Sequence, residues 1–165
     1  MSDSFLVDTS VLRVFSSIQR LDLLESWSPF YVTQNILREH GQAPPQAQTA
    51  VTQAINANQI RLADPAVEYQ VKLLDEKLGL GYVDCEGILV AERDRLAGIF
   101  VADRTYREAC KKRGIQTTSV GPVLLYLVKA KELTKAEALD VATSMEASQY
   151  YQFPADERAR LGLPR

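Results

Sequence analysis

The chain has 165 residues, which suits one domain and is enough to bury a hydrophobic core. Hydrophobic residues make up 46% of it and charged residues 24%, as in an ordinary water-soluble globular protein. The net charge of −2 argues against a protein that coats nucleic acid non-specifically, because such proteins usually carry a basic excess. It is compatible with a nuclease whose carboxylates hold metal ions.

The sequence also indicates the compartment. No apolar run approaches the roughly 18 residues that span a bilayer, and the first four residues lack the basic region of a secretory signal. Cys85 and Cys110 are too few and too far apart for a zinc knuckle or a disulfide framework. We therefore expect a cytoplasmic protein without a membrane segment.

Short apolar runs alternate with longer helical patterns, which predicts an α/β fold with a parallel sheet of four or five strands. In chain order, the predicted strands are Phe5–Val7, Phe30–Val32, Ile60–Leu62, Ile99–Ala102 and Gln116–Ser119. The predicted helices are Ser10–Ile18, Gln34–His40, Pro45–Asn56, Pro65–Lys77, Val83–Arg95, Arg104–Arg113 and Val120–Lys131, and a last helix opens at Thr134. After Ser148 the periodic pattern fails. The sequence therefore predicts one domain over residues 1–148 and a C-terminal tail over residues 149–165.

Acidic residues follow two of the predicted strands directly. Asp8 comes after the first strand and Asp103 after the fourth, at the carboxyl ends where open α/β sheets bind ligands. Each of them could instead be a helix N-cap, since aspartate is favoured there. Glu39 lies one short helix after the second strand, three residues from Ile36 and on nearly the same face. On spacing alone, Glu39 fits the interior and a half-exposed surface equally well.

Asp84 is the most informative of the acidic residues. It shares a helical face with Gly87, Ile88 and Ala91, so we expect it to point toward the interior or a cleft. A buried carboxylate needs a cation, a hydrogen-bond donor or a proton. The alternative is an acid that favours the helix start. Glu86 faces roughly the opposite way, toward the rim of the site or toward solvent.

Four acids in one crevice would repel each other, and coordination of a hard divalent cation such as Mg²⁺ or Mn²⁺ is the simplest chemistry that tolerates them. Such an ion can deliver a water nucleophile and neutralise charge that develops on a phosphodiester. A carboxylate that touches the ion through water could act as a general base. The spacing thus makes Asp8, Glu39, Asp84 and Asp103 a candidate catalytic metal site.

The segments that carry these acids resemble those of the PIN-domain nucleases. The segments are Phe5–Ser10 around the first acid, Thr33–Glu39 at the second, Leu80–Gly87 at the third and Phe100–Arg104 at the fourth. The stretches Ala109–Ile115 and Thr118–Leu133 are similar to the closing half of the branch related to VapC-type toxins. The resemblance covers roughly residues 4 to 147.

This resemblance implies a three-layer α/β/α sandwich with the sheet order 3-2-1-4-5. It also implies hydrolysis of RNA with Mg²⁺ or Mn²⁺, leaving a 5′-phosphate. In this family's pattern Asp8, Asp84 and Asp103 would bind the metal, Glu39 would bind it directly or through water, and Ser10 would support the ligands with a hydrogen bond. A homodimer, and a small antitoxin protein that covers the acidic cleft, are further implications.

The chain departs from the related branch at two places. Asp84 stands where that branch usually has glutamate, which is one methylene longer, so the third acid would reach a metal less directly. Gly121-Pro122 replaces a more usual glycine–threonine pair.

Several basic and aromatic residues have two interpretations each. Arg13, Arg38 and Arg104, together with Arg107, lie close in sequence to the acids and could hold substrate phosphates, although helix faces carry arginines routinely. The basic run 111–113 ends a helix, where cations suit the helix dipole. The aromatic residues at 150, 151 and 153 could stack on bases or pack on the core.

The leading interpretation is a metal-dependent ribonuclease, and within it the toxin of a toxin–antitoxin pair. The alternative is a PIN fold that has lost catalysis and serves as an RNA- or protein-binding scaffold. A flavodoxin-type nucleotide-binding domain is a third, but it would need a glycine loop where this chain has Asp8-Thr9-Ser10.

Overall fold

The computed structural model describes residues 3–164; residues 1, 2 and 165, which belong to the predicted domain and tail, lie outside the described part. Five parallel strands form one sheet. They are β1 (Phe5–Val7), β2 (Phe30–Val32), β3 (Ile60–Leu62), β4 (Gly98–Phe100) and β5 (Thr117–Thr118). Their order in the sheet is β3-β2-β1-β4-β5, which confirms the predicted topology.

The central strands are apolar because both of their faces are covered. Leu6 in β1 pairs with Tyr31 of β2 on one side and with Ile99 of β4 on the other. Parallel strands buried on both faces read as continuous apolar runs, which explains why the sequence identifies these strands clearly. β3 is an edge strand with Arg61 and Leu62 exposed, so its apolar signal is weaker.

Helices connect the strands and follow the last of them. The helices in residues 3–164 are α1 (Thr9–Ser17), α2 (Asp22–Trp27), α3 (Gln34–His40), α4 (Pro45–Asn56), α5 (Glu68–Leu78), α6 (Tyr82–Arg93), α7 (Arg104–Lys112), α8 (Val120–Lys129), α9 (Lys135–Ala147) and α10 (Ala155–Leu161). Within this range, no helix is both long enough and apolar enough to cross a membrane.

Layering follows from the strand order. From β1 to β3 the chain advances in one direction along the sheet, and from β4 to β5 it advances in the other. Because parallel crossovers are right-handed, the helices of the two halves lie on opposite faces. The predicted α/β/α sandwich is therefore confirmed, and the carboxyl ends of β1 and β4 meet in the crevice between its halves.

The sequence pattern did not predict α2, which has only six residues and is too short for periodicity to reveal. Its last residue, Trp27, packs between two strands, with ring centroids 4.5 Å from Phe5 and 5.0 Å from Phe100. Aromatic contacts of this geometry stabilise the core beyond the area they bury. α2 therefore covers the sheet beneath β1 and β4.

The expected irregular tail differs from the structure, which has a helix, α10, in that segment. Four apolar side chains of the segment are buried in the core: Tyr151, Phe153, Leu161 and Leu163. The carboxylate of Glu157 is also buried and accepts a 2.8 Å hydrogen bond from the hydroxyl of Ser119 at the start of α8. It lies so close to Gly121 that a Cβ there would come within 2.7 Å of the Glu157 carboxyl carbon. A side chain at 121 would therefore displace Glu157 and disturb the docking of α10.

Candidate active site

Asp8 lies where β1 ends beside β4. Its backbone N–H donates a 3.0 Å hydrogen bond to the carbonyl of Phe100. The side chain is buried and accepts a 2.9 Å hydrogen bond from the hydroxyl of Ser10, the support that the resemblance implied. Asp8 occupies the N-cap position of α1, yet its side chain makes no capping bond. Burial raises the pKa of Asp8, the Ser10 hydroxyl opposes that rise, and the charge of Glu39 adds to it.

Asp103 does act as a helix cap. It precedes α7, and its Oδ1 accepts a 2.7 Å hydrogen bond from the backbone N–H of Tyr106. Both aspartates lie at N-cap positions, but only the side chain of Asp103 caps its helix. The cap also orients the exposed Asp103 carboxylate at the carboxyl end of β4.

Glu39 comes from the last turn of α3. The side chain of Glu39 is exposed, whereas Ile36, three residues earlier in the same helix, is buried. Its Oε2 accepts a 2.7 Å hydrogen bond from the hydroxyl of Thr9 in the first turn of α1. Thr9 was not identified from the sequence, although it stands between Asp8 and Ser10. Its hydroxyl fixes the second acid next to the first.

Asp84 has the most perturbed carboxylate of the four. It lies half-buried in the first turn of α6. Burial raises the pKa of Asp84 to about 7, and the negative charges of Asp8, Glu39, Asp103 and Asp75 contribute in that order. The structure thus places the four acids in one electrostatic cluster, with Asp75 at its margin.

Glu86 is buried, not directed to the rim or to solvent, so this expectation was wrong. It is 1% exposed and accepts a 3.0 Å hydrogen bond from the side-chain amide of Asn35 in α3. The Oδ1 of Asn35 in turn accepts a 2.8 Å bond from the guanidinium of Arg38. The helical pattern predicts one buried face for α6, whereas residues 85–88, which together surround the helix, are all buried. Asn35, which no sequence signal marked, joins α3 to α6.

A glycine and a tyrosine pack beneath the acids. Tyr106 is almost completely buried, and its hydroxyl lies where a Cβ at Gly87 would be, three residues after Asp84. Burial together with the charge of Asp8 raises the pKa of this phenol well above its ordinary value. Tyr106 thereby packs against α6 while its own backbone N–H holds Asp103.

The three arginines predicted to bind substrate have separate environments. Arg13 in α1 lies 5.9 Å from the ring centroid of Tyr150, and burial together with the charge of Arg13 lowers the pKa of His40. Arg38 is exposed and bonds Asn35 as described above. Arg104 is exposed at the start of α7 and pairs with Glu108 at 3.0 Å.

The donor set fits a hard divalent cation in chemistry, since every member is a carboxylate and the negative charges of the other members contribute to the raised pKa of Asp84. Within residues 3–164, however, no group of three or more His, Cys, Asp or Glu side chains is arranged so that it could hold a metal ion. Hydrogen bonds from Ser10, Thr9 and the backbone of Tyr106 hold three of the carboxylates in their present orientations. Binding a cation would require these side chains to turn toward it.

Comparison with known proteins agrees with the fold. A family model described as DUF3368: PIN domain matches residues 4–156. No curated protein matches the chain. The crystal structure of PAE2754 from Pyrobaculum aerophilum is similar, with a TM-score of 0.57 and 16% sequence identity over 78% of this chain and 99% of that one. At this identity the likeness concerns the fold alone. Because the family model spans most of its length, the chain belongs to the PIN-domain family, a family of nucleases.

Proposed function

We propose that this protein is a metal-dependent endoribonuclease, which hydrolyses RNA phosphodiester bonds at Asp8, Glu39, Asp84 and Asp103. The observation that carries the proposal is the convergence of these four acids around the half-buried Asp84, whose pKa is raised to about 7 by burial first and then by the charges of the other acids. Carboxylates with strongly perturbed pKa values are typical of functional sites. PIN domains, moreover, typically are nucleases that use a divalent metal.

The four carboxylates have different parts in this site. Asp8, Asp84 and Asp103 would hold Mg²⁺ or Mn²⁺, and Glu39 would hold it directly or through water. The ion, when bound, supplies Lewis-acid activation of water and neutralises charge on the phosphodiester. Ser10 would support Asp8 by its hydrogen bond to one of the carboxylate oxygens.

The test is cleavage of a mixed-sequence, end-labelled RNA in Mg²⁺, in Mn²⁺ and in EDTA. We expect cleavage with either ion and none in EDTA. An Asp8→Asn plus Asp103→Asn variant should be inactive but folded, because asparagine has nearly the shape of aspartate and, in place of Asp103, caps α7 as well as aspartate does. The matched control is Asp140→Asn plus Asp156→Asn, which removes the same charge from exposed positions and should cleave normally. Equal cleavage by both double variants would contradict the proposed site.

A second candidate function is a scaffold that binds RNA or protein without cleaving it. One observation favours it, namely that no group of carboxylates in residues 3–164 is arranged to hold a metal as they stand. The same assay separates the two functions. A folded protein that retains RNA but does not cleave it with either ion would be a scaffold.

The partners are also proposals. We propose a cytoplasmic homodimer, and a VapC-like toxin role in which an antitoxin covers the acidic cleft. Two free, buried cysteines suit a reducing compartment. Exposed apolar side chains of β3, α5 and the residue before α5, where an interface between copies could form, are Leu62, Val67, Tyr69 and Leu73. Light scattering on the purified protein should give a dimer mass, and Tyr69→Glu plus Leu73→Glu should give a monomer. A monomeric mass for the unaltered protein would contradict the dimer.

A further inference from the structure

Basic residues are concentrated on one helix that begins at the acidic site. α7 has four basic residues and one acidic residue, a net charge of +3, in a chain whose net charge is −2. Its N-cap is Asp103, one of the four acids. Positive charge therefore adjoins the candidate active site on this helix, although the protein as a whole is acidic.

The helix dipole does not account for this arrangement. Cations favour the C-terminal end of a helix, which suffices for Lys111 and Lys112 in the last turn. Arg104 and Arg107 lie in the first half, where the dipole disfavours positive charge. The pair of Arg104 with Glu108 also has the weaker of the two orientations for residues four apart, with the cation N-terminal to the acid. An anionic ligand would explain arginines at these positions.

A cavity lies between α7 and the edge strand β5. Its volume is about 380 Å³, and its basic lining residues are Arg104, Arg107 and Lys111, with Glu108 as the acidic one. Its lining also includes Gln116, which precedes β5, and Thr117, the first residue of β5. An edge strand presents one side of its backbone to a ligand, since it has no neighbour there.

The charges of two lining residues are not neutralised by ion pairs. Elsewhere, Arg20 pairs with Asp22 and Arg113 with Glu92. Neither Arg107 nor Lys111 forms an ion pair within residues 3–164, and the Nε of Arg107 is buried without a hydrogen-bond partner. They lie four residues apart and thus on one helical face, about 6 Å from each other along the axis.

We propose that the α7–β5 cavity, lined by Arg104, Arg107 and Lys111, binds the sugar–phosphate backbone of single-stranded RNA and leads it to the acidic site at Asp103. The inference deepens the proposed function and rests on it, because it names the surface that holds the substrate. Guanidinium groups bind phosphate through paired hydrogen bonds, and the ammonium of Lys111 adds a point charge. Contacts of this kind position the strand without reading its sequence.

The test measures binding without cleavage. A short fluorescein-labelled single-stranded RNA of mixed sequence is titrated with the full-length protein in EDTA, and fluorescence anisotropy is read at several salt concentrations. Arg107→Gln plus Lys111→Gln should weaken binding about tenfold and reduce the slope of log K against log salt by about 1.4, the value for two lost contacts to a single strand. Lys111→Gln alone, on an exposed side chain, should show about half of that change in slope.

The matched control is Lys129→Gln plus Lys135→Gln, which removes the same charge from exposed positions on α8 and α9. It should bind RNA as the unaltered protein does. Equal weakening by both double variants, or no weakening by the α7 variants, would overturn the proposal. Oligoglutamate, titrated in the same way, stands in for an acidic protein. If the α7 variants lost binding to oligoglutamate while their RNA binding stayed unchanged, the cavity would be assigned to an acidic protein and the proposal would be overturned. If RNA binding depends on α7 but no RNA is cleaved in Mg²⁺ or Mn²⁺, the nuclease proposal fails and the binding surface stands.

Discussion

Asp84→Asn should abolish RNA cleavage and, at the same time, stabilise the metal-free protein above neutral pH. The folded chain raises the pKa of Asp84 from 3.8 to about 7 through burial and the charges of the other three acids. Asp84 is a metal ligand in the proposed site, and loss of such a carboxylate should lower the rate of cleavage at least about 100-fold. Asparagine has nearly the same shape but no charge, so it relieves the repulsion.

The pH dependence has a definite sign. Between about pH 4 and pH 7 the unfolded chain releases the proton of Asp84, whereas the folded chain retains it. The folded state therefore loses stability as pH rises through this window, and the loss is complete above the folded pKa. We expect thermal unfolding in EDTA to give similar melting temperatures for both proteins at pH 4. At pH 8 the variant should melt higher by about 2 °C or more.

Two comparisons make this prediction specific. Asp84→Glu installs the longer acid that is usual in the related branch, and we expect it to retain cleavage. Mn²⁺ should raise the melting temperature of the unaltered protein more than that of Asp84→Asn, because a ligand that binds the folded state stabilises it. A melting temperature of Asp84→Asn that stays level with the unaltered protein at pH 8 would contradict the account of repulsion.

Gly87→Ala should destabilise the protein by about 2 kcal/mol although alanine is the better helix former. The new Cβ would overlap the Tyr106 hydroxyl and approach Cδ2 of Leu6 to 2.9 Å. Overpacking in a core costs up to about 3 kcal/mol, and the gain in helix propensity offsets about 1 kcal/mol of it. Urea denaturation at equilibrium would measure the difference in the free energy of unfolding.

A double-mutant cycle tests the cause. Without the hydroxyl, the nearest atom of residue 106 would be Cζ at 3.7 Å from the new Cβ, an ordinary contact. Tyr106→Phe should therefore recover at least half of the stability that Gly87→Ala loses. The double variant should then be more stable than the sum of the two single effects predicts. Purely additive effects would show that the overlap is not the source of the loss. Because Tyr106 holds Asp103, Gly87→Ala should also slow cleavage in the fraction that stays folded.

The sheet could be predicted from the sequence because its central strands are buried on both faces. Apolar runs such as those in β1 and β4 can be recognised from the sequence without knowledge of the tertiary structure. The strand order came from the likeness of the acid-bearing segments to a known family, and the structure has that order. The helix α2 was not recognised because its six residues show too few periods, and α10 was not recognised because Leu161 is the one large apolar residue among its seven.

Asp8 and Asp103 could also be located from the sequence, since the chain direction brings the carboxyl ends of β1 and β4 to one crevice. The positions of Glu39 and Asp84 followed from helical spacing and the family resemblance. The neighbours of these acids could not be predicted from the sequence. Thr9 reaches Glu39 across 30 positions, and Asn35 reaches Glu86 across 51. The contact of Gly87 with Tyr106 likewise joins two helices. Sequence periodicity reports which face of one element is apolar, whereas the partner of a buried polar group comes from another element. The sequence by itself therefore determined where the carboxylates stand, and only the tertiary structure decided which neighbours hold them and how strongly they repel each other.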